Sequence, residues 1–411
     1  MKIEKLIGTF PIIKNPQTSL NLKPQILPLL IIAQFACTSL WFAGNAVIDE
    51  ISLKIGLEFS DVGYMLSSVQ FGFITGTLLF AVLLIADRFS PSKVFFICAL
   101  LAALCNTGLL LVNLNKEIVL LARFGTGFFL AGIYPIGMKI AADYYDNSLG
   151  KVLGFLVGAL VLGTAFPFLL TAMNVNINYT FIIKITSVLA VLGGFLIILL
   201  VPNGPFRKPS KQLHLKAGLS LFKICSFRKA AFGYFGHMWE LYAFWAFTPL
   251  AIKTFNIINN TSFSIPFWTF ITISVGALAC VLGGLFSVRF GNKKVALLSL
   301  FISGGFCILS PLLFLAPSGL FLISWSFWGM AVAADSPQFS TLVAKAAPLE
   351  LKGTGLTIVT CIGFALSIVS IELLSFLSLQ LNSTLIFLFL SLGPLFGIYH
   401  LKKKNKAPNQ Y

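Results

Sequence analysis

The sequence predicts an all-α integral membrane protein made of two six-helix bundles related by a pseudo-two-fold axis, and three observations carry that expectation. First, 57% of the 411 residues are hydrophobic and only 10% are charged, against roughly a quarter charged in soluble domains. A soluble fold has nowhere to bury so much apolar surface. Second, the apolar residues gather into runs of the ~20 residues that an α-helix needs to span about 30 Å of hydrocarbon, and the runs fall into two sets of six. Third, Arg88-Phe89 and Lys93-Val94 recur 201 residues later as Arg289-Phe290 and Lys294-Val295, each time in a short basic turn between two long apolar runs. Internal repetition in so apolar a chain points to two halves facing a central site, the plan of a secondary transporter.

Taken in order, the spans are expected near 25–48, 61–85, 93–113, 118–142, 149–173 and 179–201, then 230–252, 265–288, 294–316, 318–342, 354–378 and 383–400. Residues 1–24, with Lys2, Lys5, Lys14 and Lys23, read as a basic arm at the anionic inner leaflet. The first run is too long for the apolar stretch of a cleavable signal, and Trp41, Asn45 and Asp49 follow where a small-residue cleavage site would stand. Residues 25–201 form the N-terminal bundle and 230–400 the C-terminal bundle. The Pro-, Gly- and Lys-containing stretch 202–229 links them, with 213–225 suited to a short amphipathic helix at the membrane surface, and 401–411 is a basic tail. Most of the 29 Lys and Arg residues lie on one side when both termini and the linker are cytoplasmic, which is the positive-inside bias. The expectation is a multi-pass, monomeric protein of the cell's inner (cytoplasmic) membrane whose surroundings are lipid.

The net charge of +16 sits in the turns, not along a groove-sized face, so nucleic acid is not expected as a partner. Seven cysteines lie almost entirely within apolar runs with no pairing pattern, and His214, His237 and His400 are too scattered for a metal cage. No hydrolase, kinase, dinucleotide or metalloprotease motif occurs. Neither an enzyme, nor a metal, nor a cofactor is expected.

Ionisable groups inside hydrocarbon are the best pointers to mechanism, because each costs about 2.5–3.5 kcal/mol or more at mid-membrane unless a partner, water or solute offsets it. His237 and Glu240 lie three apart in the seventh span and so share a helix face. Burial favours the uncharged form of a carboxylate and imidazole titrates near neutrality, so the pair suits proton exchange. The tenth span supplies Asp335 and Gln338, again three apart, with Trp328 two turns earlier and Pro337 able to loosen the helix beside them. Tyr134-Pro135 of the fourth span aligns with Ser336-Pro337 at an offset of 202, so a bent site is expected in both halves. Glu240, His237 and Asp335 are therefore the proton-coupling candidates. Trp41, Asn45, Gln34, Gln70, Arg123, Tyr134, Tyr242, Phe244, Trp245, Trp328 and Gln338 are the candidates for a solute cavity. Arg123 and Lys139 in the first half face acids in the second, an asymmetry that suits an amphiphilic or zwitterionic solute. Lys184 and Glu372 stand near span ends and are expected to snorkel.

Six spans on each side of one linker resemble the major facilitator superfamily. That family's signature after the second span is a Gly, an acid four residues on, an Arg, then Gly and basic residues. Asp87, Arg88 and Lys93 match it while Leu83 and Ser90 replace the glycines; the second copy keeps Gly284, Arg289, Gly291, Lys293 and Lys294 but lacks the acid. Arg123 followed by Gly127 is similar to the family's fourth-span element, and Gly154, Gly158, Gly163 and Pro167 to its glycine-rich fifth span. The resemblance implies a cavity lined by spans 1, 4, 7 and 10. It also implies a conformational latch of Asp87, Arg88, Lys93, Arg289 and Gly291, with Asp87 capping the eleventh span near Gly353-Thr354-Gly355. The implied function is secondary active transport of a small organic solute by alternating access, coupled to protons. A uniporter or anion permease without proton coupling, and a membrane sensor or binding protein that does not transport, stay open.

Overall fold

The computed structural model describes residues 25–56, 61–145, 149–173, 178–207 and 215–403; the basic arm 1–24, most of the tail 401–411 and the middle of the linker lie outside these. Among the described residues nine helices are long and apolar enough to cross a membrane. They are α2 (Val62–Val82), α3 (Pro91–Thr107), α4 (Lys116–Leu130 with Tyr134–Tyr144), α5 (Leu149–Ala172), α6 (Tyr179–Leu200), α7 (Cys225–Asn259), α8 (Ile265–Phe290), α9 (Asn292–Leu313) and α11 (Lys352–Gln380). Three more are built from shorter pieces: α1 (Ile26–Thr38), α10 (Ser318–Ala334 with Ser336–Ala346) and α12 (Leu392–Lys402, entered by a 3-10 turn at Ile386–Ser391). Together they make the two sets of six expected from hydropathy.

The helix boundaries follow local chemistry. Asn115 opens α4 by accepting from the Ile118 amide at 2.9 Å, and Ser264 opens α8 by accepting from Phe267 at 3.4 Å. Pro91 stands in the first turn of α3, where its missing N–H costs nothing. The same residue type breaks α4 and α10 at matching positions. Pro135 and Pro337 each begin a new piece, after Leu130 and Ala334 respectively, since neither can donate to the preceding turn. The repeat at an offset of 202 is thus a repeat of structure.

The first span departs from the single helix expected over 25–48. It ends at Thr38, turns through 39–44, tightens into a 3-10 turn at Asn45–Val47, and resumes as Ile48–Ile55, which the left-handed Gly56 terminates. A tertiary contact stands beside the break. The Arg123 side chain of α4 fills the space beside Gly44, where a Cβ would lie 2.8 Å from Arg123 Cδ.

Within the first half α2 packs on α4, α3 on α6 and α1 on α5 and α6; within the second, α7 packs on α11 and α12 and α8 on α10. The halves meet along α5 against α8 and α2 against α11. The outer surface is apolar, with Leu121, Ile323 and Val288 exposed at 69%, 69% and 84%, as a lipid-facing surface must be. Between α2 and α4 the backbones touch, because a Cβ on Gly127 would collide with the Val69 carbonyl oxygen. Gly127→Val should force these helices apart at a cost of about 1–3 kcal/mol or more. The expected result is a lower melting temperature and a smaller monodisperse fraction in detergent; an unchanged melting temperature would mean that the contact is slack.

Candidate functional site

The polar groups of the second half form two separate clusters. His237 of α7 places Nδ1 2.8 Å from Asp335 Oδ1 and Nε2 2.8 Å from Ser336 Oγ. Both members of the ion pair are 1% exposed, and Asp335 sits in the break of α10. The Nδ1–Oδ1 approach has ion-pair distance without the alignment of a formed hydrogen bond, so the pair is close but loosely tied. Glu240 turns elsewhere. Its carboxylate accepts from Trp328 Nε1 at 2.6 Å, Ser303 Oγ at 2.8 Å and Cys307 Sγ at 3.4 Å. The i, i+3 spacing put His237 and Glu240 on one face, but the partners of Glu240 come from α9 and α10 inside its own bundle. His237 and Glu240 share no hydrogen bond among the described residues.

In the first half, Arg123 is 3% exposed. Its Nε donates to the Met65 carbonyl at 2.9 Å, and Nη2 donates to Asn45 Oδ1 in the interrupted part of the first span. No carboxylate lies within ion-pair reach of it among the described residues. Asn45 Nδ2, Trp41 Nε1 and Trp245 Nε1 are buried donors without partners, and Gln34 has neither its oxygen nor its nitrogen satisfied. Buried polar groups are normally paired, so these atoms hold unused hydrogen-bonding capacity.

An aromatic cluster joins the halves at this level. Trp41 stacks on Tyr242 with centroids 5.8 Å apart, Phe73 meets Phe364 at 4.6 Å, and Phe42 meets Trp245 edge-on at 6.3 Å. The half-buried Tyr134 lies within electrostatic reach of Tyr234 and Tyr242 of α7 and Cys280 of α8. The candidates Trp41, Tyr134, Tyr242 and Trp245 are thus brought together across the interface.

Other candidates fall elsewhere. Gln70, fully buried, donates to its own helix at Leu66 O, 2.7 Å away. Gln338 accepts from Asn292 Nδ2 at 2.7 Å in the turn between α8 and α9, and Lys345 donates to the same Asn292 at 3.1 Å; it braces that turn and does not line the aromatic cluster. Trp328 serves Glu240. Arg88, Lys93 and Arg289 are exposed, and Gly291 takes φ +87° as it closes α8. In the first copy of the turn it is Leu84 that is left-handed, at φ 54°, so the lost glycines shift the turn by several residues. The Asp87 side chain lies outside the described residues. Lys184 is exposed, whereas Glu372 bonds to Ser67 of the other half at 2.6 Å, a contact that no local pattern announces. An apolar cavity of about 340 Å³ lies nearer the linker, lined by Leu78, Leu219, Ile358, Cys361, Ile362 and Ala365. Among the described residues no cluster of three or more His, Cys, Asp or Glu could hold a metal.

A multi-pass helical membrane protein of two six-helix halves, with ionisable groups buried on its inner helices, is by class a secondary transporter and not an enzyme. The chain belongs to the major facilitator superfamily: the sequence profile of the Major Facilitator Superfamily matches residues 29–371. The fold is similar to that of a variant of the E. coli fucose:proton symporter FucP, with a TM-score of 0.67 at 15% identity over 92% of this chain and 97% of that one. It is equally similar to a mutant of the nucleoside transporter NupG, with a TM-score of 0.68 at 15% identity over 92% and 98% of the two chains. A comparison with curated proteins finds no match.

Proposed function

We propose that the protein moves a small organic solute across the inner membrane by alternating access, coupled to protons at the His237–Asp335 pair. The observation that carries this reading is the pair itself: an imidazole and a carboxylate, both 1% exposed, joined at 2.8 Å between α7 and the break in α10. A proton gained or lost there changes the charge balance in low dielectric, where it is most strongly felt. It does so at the point where α10 can flex. The naming of one structural neighbour as a proton symporter is in keeping with this.

The solute is one that presents hydrogen-bond acceptors, such as a carboxylate or hydroxyl oxygens, together with an apolar or planar body. The donors left open at Arg123, Asn45, Trp41 and Trp245 suit the former, and the Trp41–Tyr242 aromatic cluster suits the latter. Both termini and the linker 202–229 are cytoplasmic in this reading, 25–201 and 230–400 are the moving units, and the protein works as a monomer in lipid. The basic turns at Asp87–Arg88–Lys93 and Arg289–Gly291 act as a latch on the cytoplasmic side.

Proteoliposome uptake of a panel of organic acids, sugars and nucleosides under an imposed pH gradient tests the reading. One or more solutes should accumulate, and a protonophore should abolish the accumulation. Equilibration that ignores the gradient would instead make the protein a uniporter, and binding without flux would make it a sensor.

A further inference from the structure

We infer that Glu372 is a second proton-binding site, and that its protonated carboxyl clasps α11 to α2 at the end of the bundle opposite the linker, the outer face in the proposed topology. Ser67 Oγ lies 2.9 Å from the Gly63 carbonyl oxygen and 2.6 Å from Glu372 Oε1. A hydroxyl has one proton to give, and a carbonyl can only accept. If Ser67 donates to Gly63, the second short contact is a hydrogen bond only when Glu372 is the donor and carries a proton. Both contacts are then satisfied at once: Glu372 donates to Ser67 Oγ, and Ser67 donates to Gly63. With Glu372 ionised, Ser67 donates to the carboxylate instead, and the Gly63 carbonyl keeps only the amide bond of its own helix, so the seam holds one hydrogen bond fewer.

The surroundings support the protonated form. The carboxyl group lies in a groove that only a glycine leaves open, since a Cβ on Gly63 would stand 2.6 Å from Glu372 Oε2. Among the described residues no cation pairs with it. Of the charged groups on the elements packed against this seam, Lys116 at the start of α4 is held by Asp61 at 2.5 Å. Arg123 is held by Asn45 and the Met65 carbonyl, and Glu117 of α4 and Lys253 of α7 are exposed. Lys352, the other charged residue of α11, stands at the opposite end of that helix. Tyr64, one turn before Ser67 on α2, is exposed. Glu372 therefore keeps its proton while α2 and α11 are closed, and releases it to the outer medium when they part and water reaches the carboxyl. Closure takes a proton back from the same side. Raising the external pH thus favours opening.

The test reads a distance and not a flux, so its failure leaves the His237–Asp335 reading standing. Nitroxide labels at Tyr64→Cys and Leu379→Cys, exposed positions toward the outer ends of α2 and α11, would be placed in full-length protein with Cys105→Ser and Cys225→Ser. Pulsed dipolar spectroscopy in liposomes then gives the ratio of long to short distances from pH 5 to 9, a range chosen as the experimental window. One proton released on opening raises that ratio by up to about tenfold per pH unit. Glu372→Gln keeps a donor for Ser67 that cannot ionise, so the closed form should persist and the slope should fall. Ser67→Ala, which removes the acceptor, should raise the open fraction and also flatten the slope. The second variant decides the matter if the first folds poorly. A pH-independent ratio in the parent protein, or an unchanged slope in either variant, overturns the inference.

Discussion

Asp335→Asn should abolish solute accumulation driven by a pH gradient, by about 10²-fold or more, while exchange of labelled for unlabelled solute remains measurable. Removing one partner from a buried pair costs about 3–5 kcal/mol, and a loss of even 3 kcal/mol corresponds to roughly 10²-fold. Asparagine keeps the size of the side chain and a hydrogen-bonding oxygen, so His237 retains a neighbour while the exchangeable proton site is lost. Counterflow in proteoliposomes, set beside uptake driven by the gradient, separates the two effects. Glu240→Gln is the control with a different expected fault. Its carboxylate accepts from Trp328, Ser303 and Cys307, and an amide must turn its NH₂ toward one of these groups, so that the donation from that group is lost. The variant should fold less well, and what does fold should still couple. If Glu240→Gln lost coupling in well-folded protein while Asp335→Asn kept it, the proton site would belong to the cluster of α7, α9 and α10.

These assignments mark the boundary between what the sequence could and could not supply. The twelve spans were legible because hydropathy is a local property, and the paired breaks of α4 and α10 because Pro135 and Pro337 act on their own turns. The interruption of the first span was not, for Arg123, whose side chain occupies the space beside Gly44, lies some eighty positions away in the chain. The i, i+3 relation of His237 and Glu240 was read correctly as helical proximity. What it could not reveal is that Asp335 and Ser336 capture the imidazole while Ser303, Cys307 and Trp328 capture the carboxylate. Gln338 was drawn to the cavity by its spacing from Asp335, yet Asn292 holds it at the turn after α8. Glu372 read as a snorkelling end residue because its partner, Ser67, is 305 positions distant. Periodicity finds the faces of helices, and only packing decides which neighbour each face meets.

Arg123→Lys should weaken solute binding by about 10- to 100-fold with little change in folded yield, and Arg123→Gln by more. The guanidinium has five N–H donors in a fixed fork, of which those to Met65 O and Asn45 Oδ1 are accounted for. The remainder make no further hydrogen bond among the described residues, and Asn45 Nδ2 and Trp41 Nε1 are buried without an acceptor. A cation buried to 3% exposure without a carboxylate partner is costly to hold, and a solute oxygen is the group that would offset that cost. Hydrogen bonds to a charged group are worth about 1.5–3 kcal/mol each, which sets the expected range. Lysine keeps the charge but cannot reproduce the fork, so it should hold the solute less firmly while still reaching toward the interrupted first span. Equilibrium binding of a solute found in the uptake panel, measured beside the melting temperature, distinguishes two roles for this residue. Wild-type affinity with a lowered melting temperature in Arg123→Lys would make Arg123 a pin that holds the first span in its broken form against α4. Weakened affinity at an unchanged melting temperature would assign its open donors to the solute, and would fix the acidic or acceptor-bearing end of that solute in the N-terminal half.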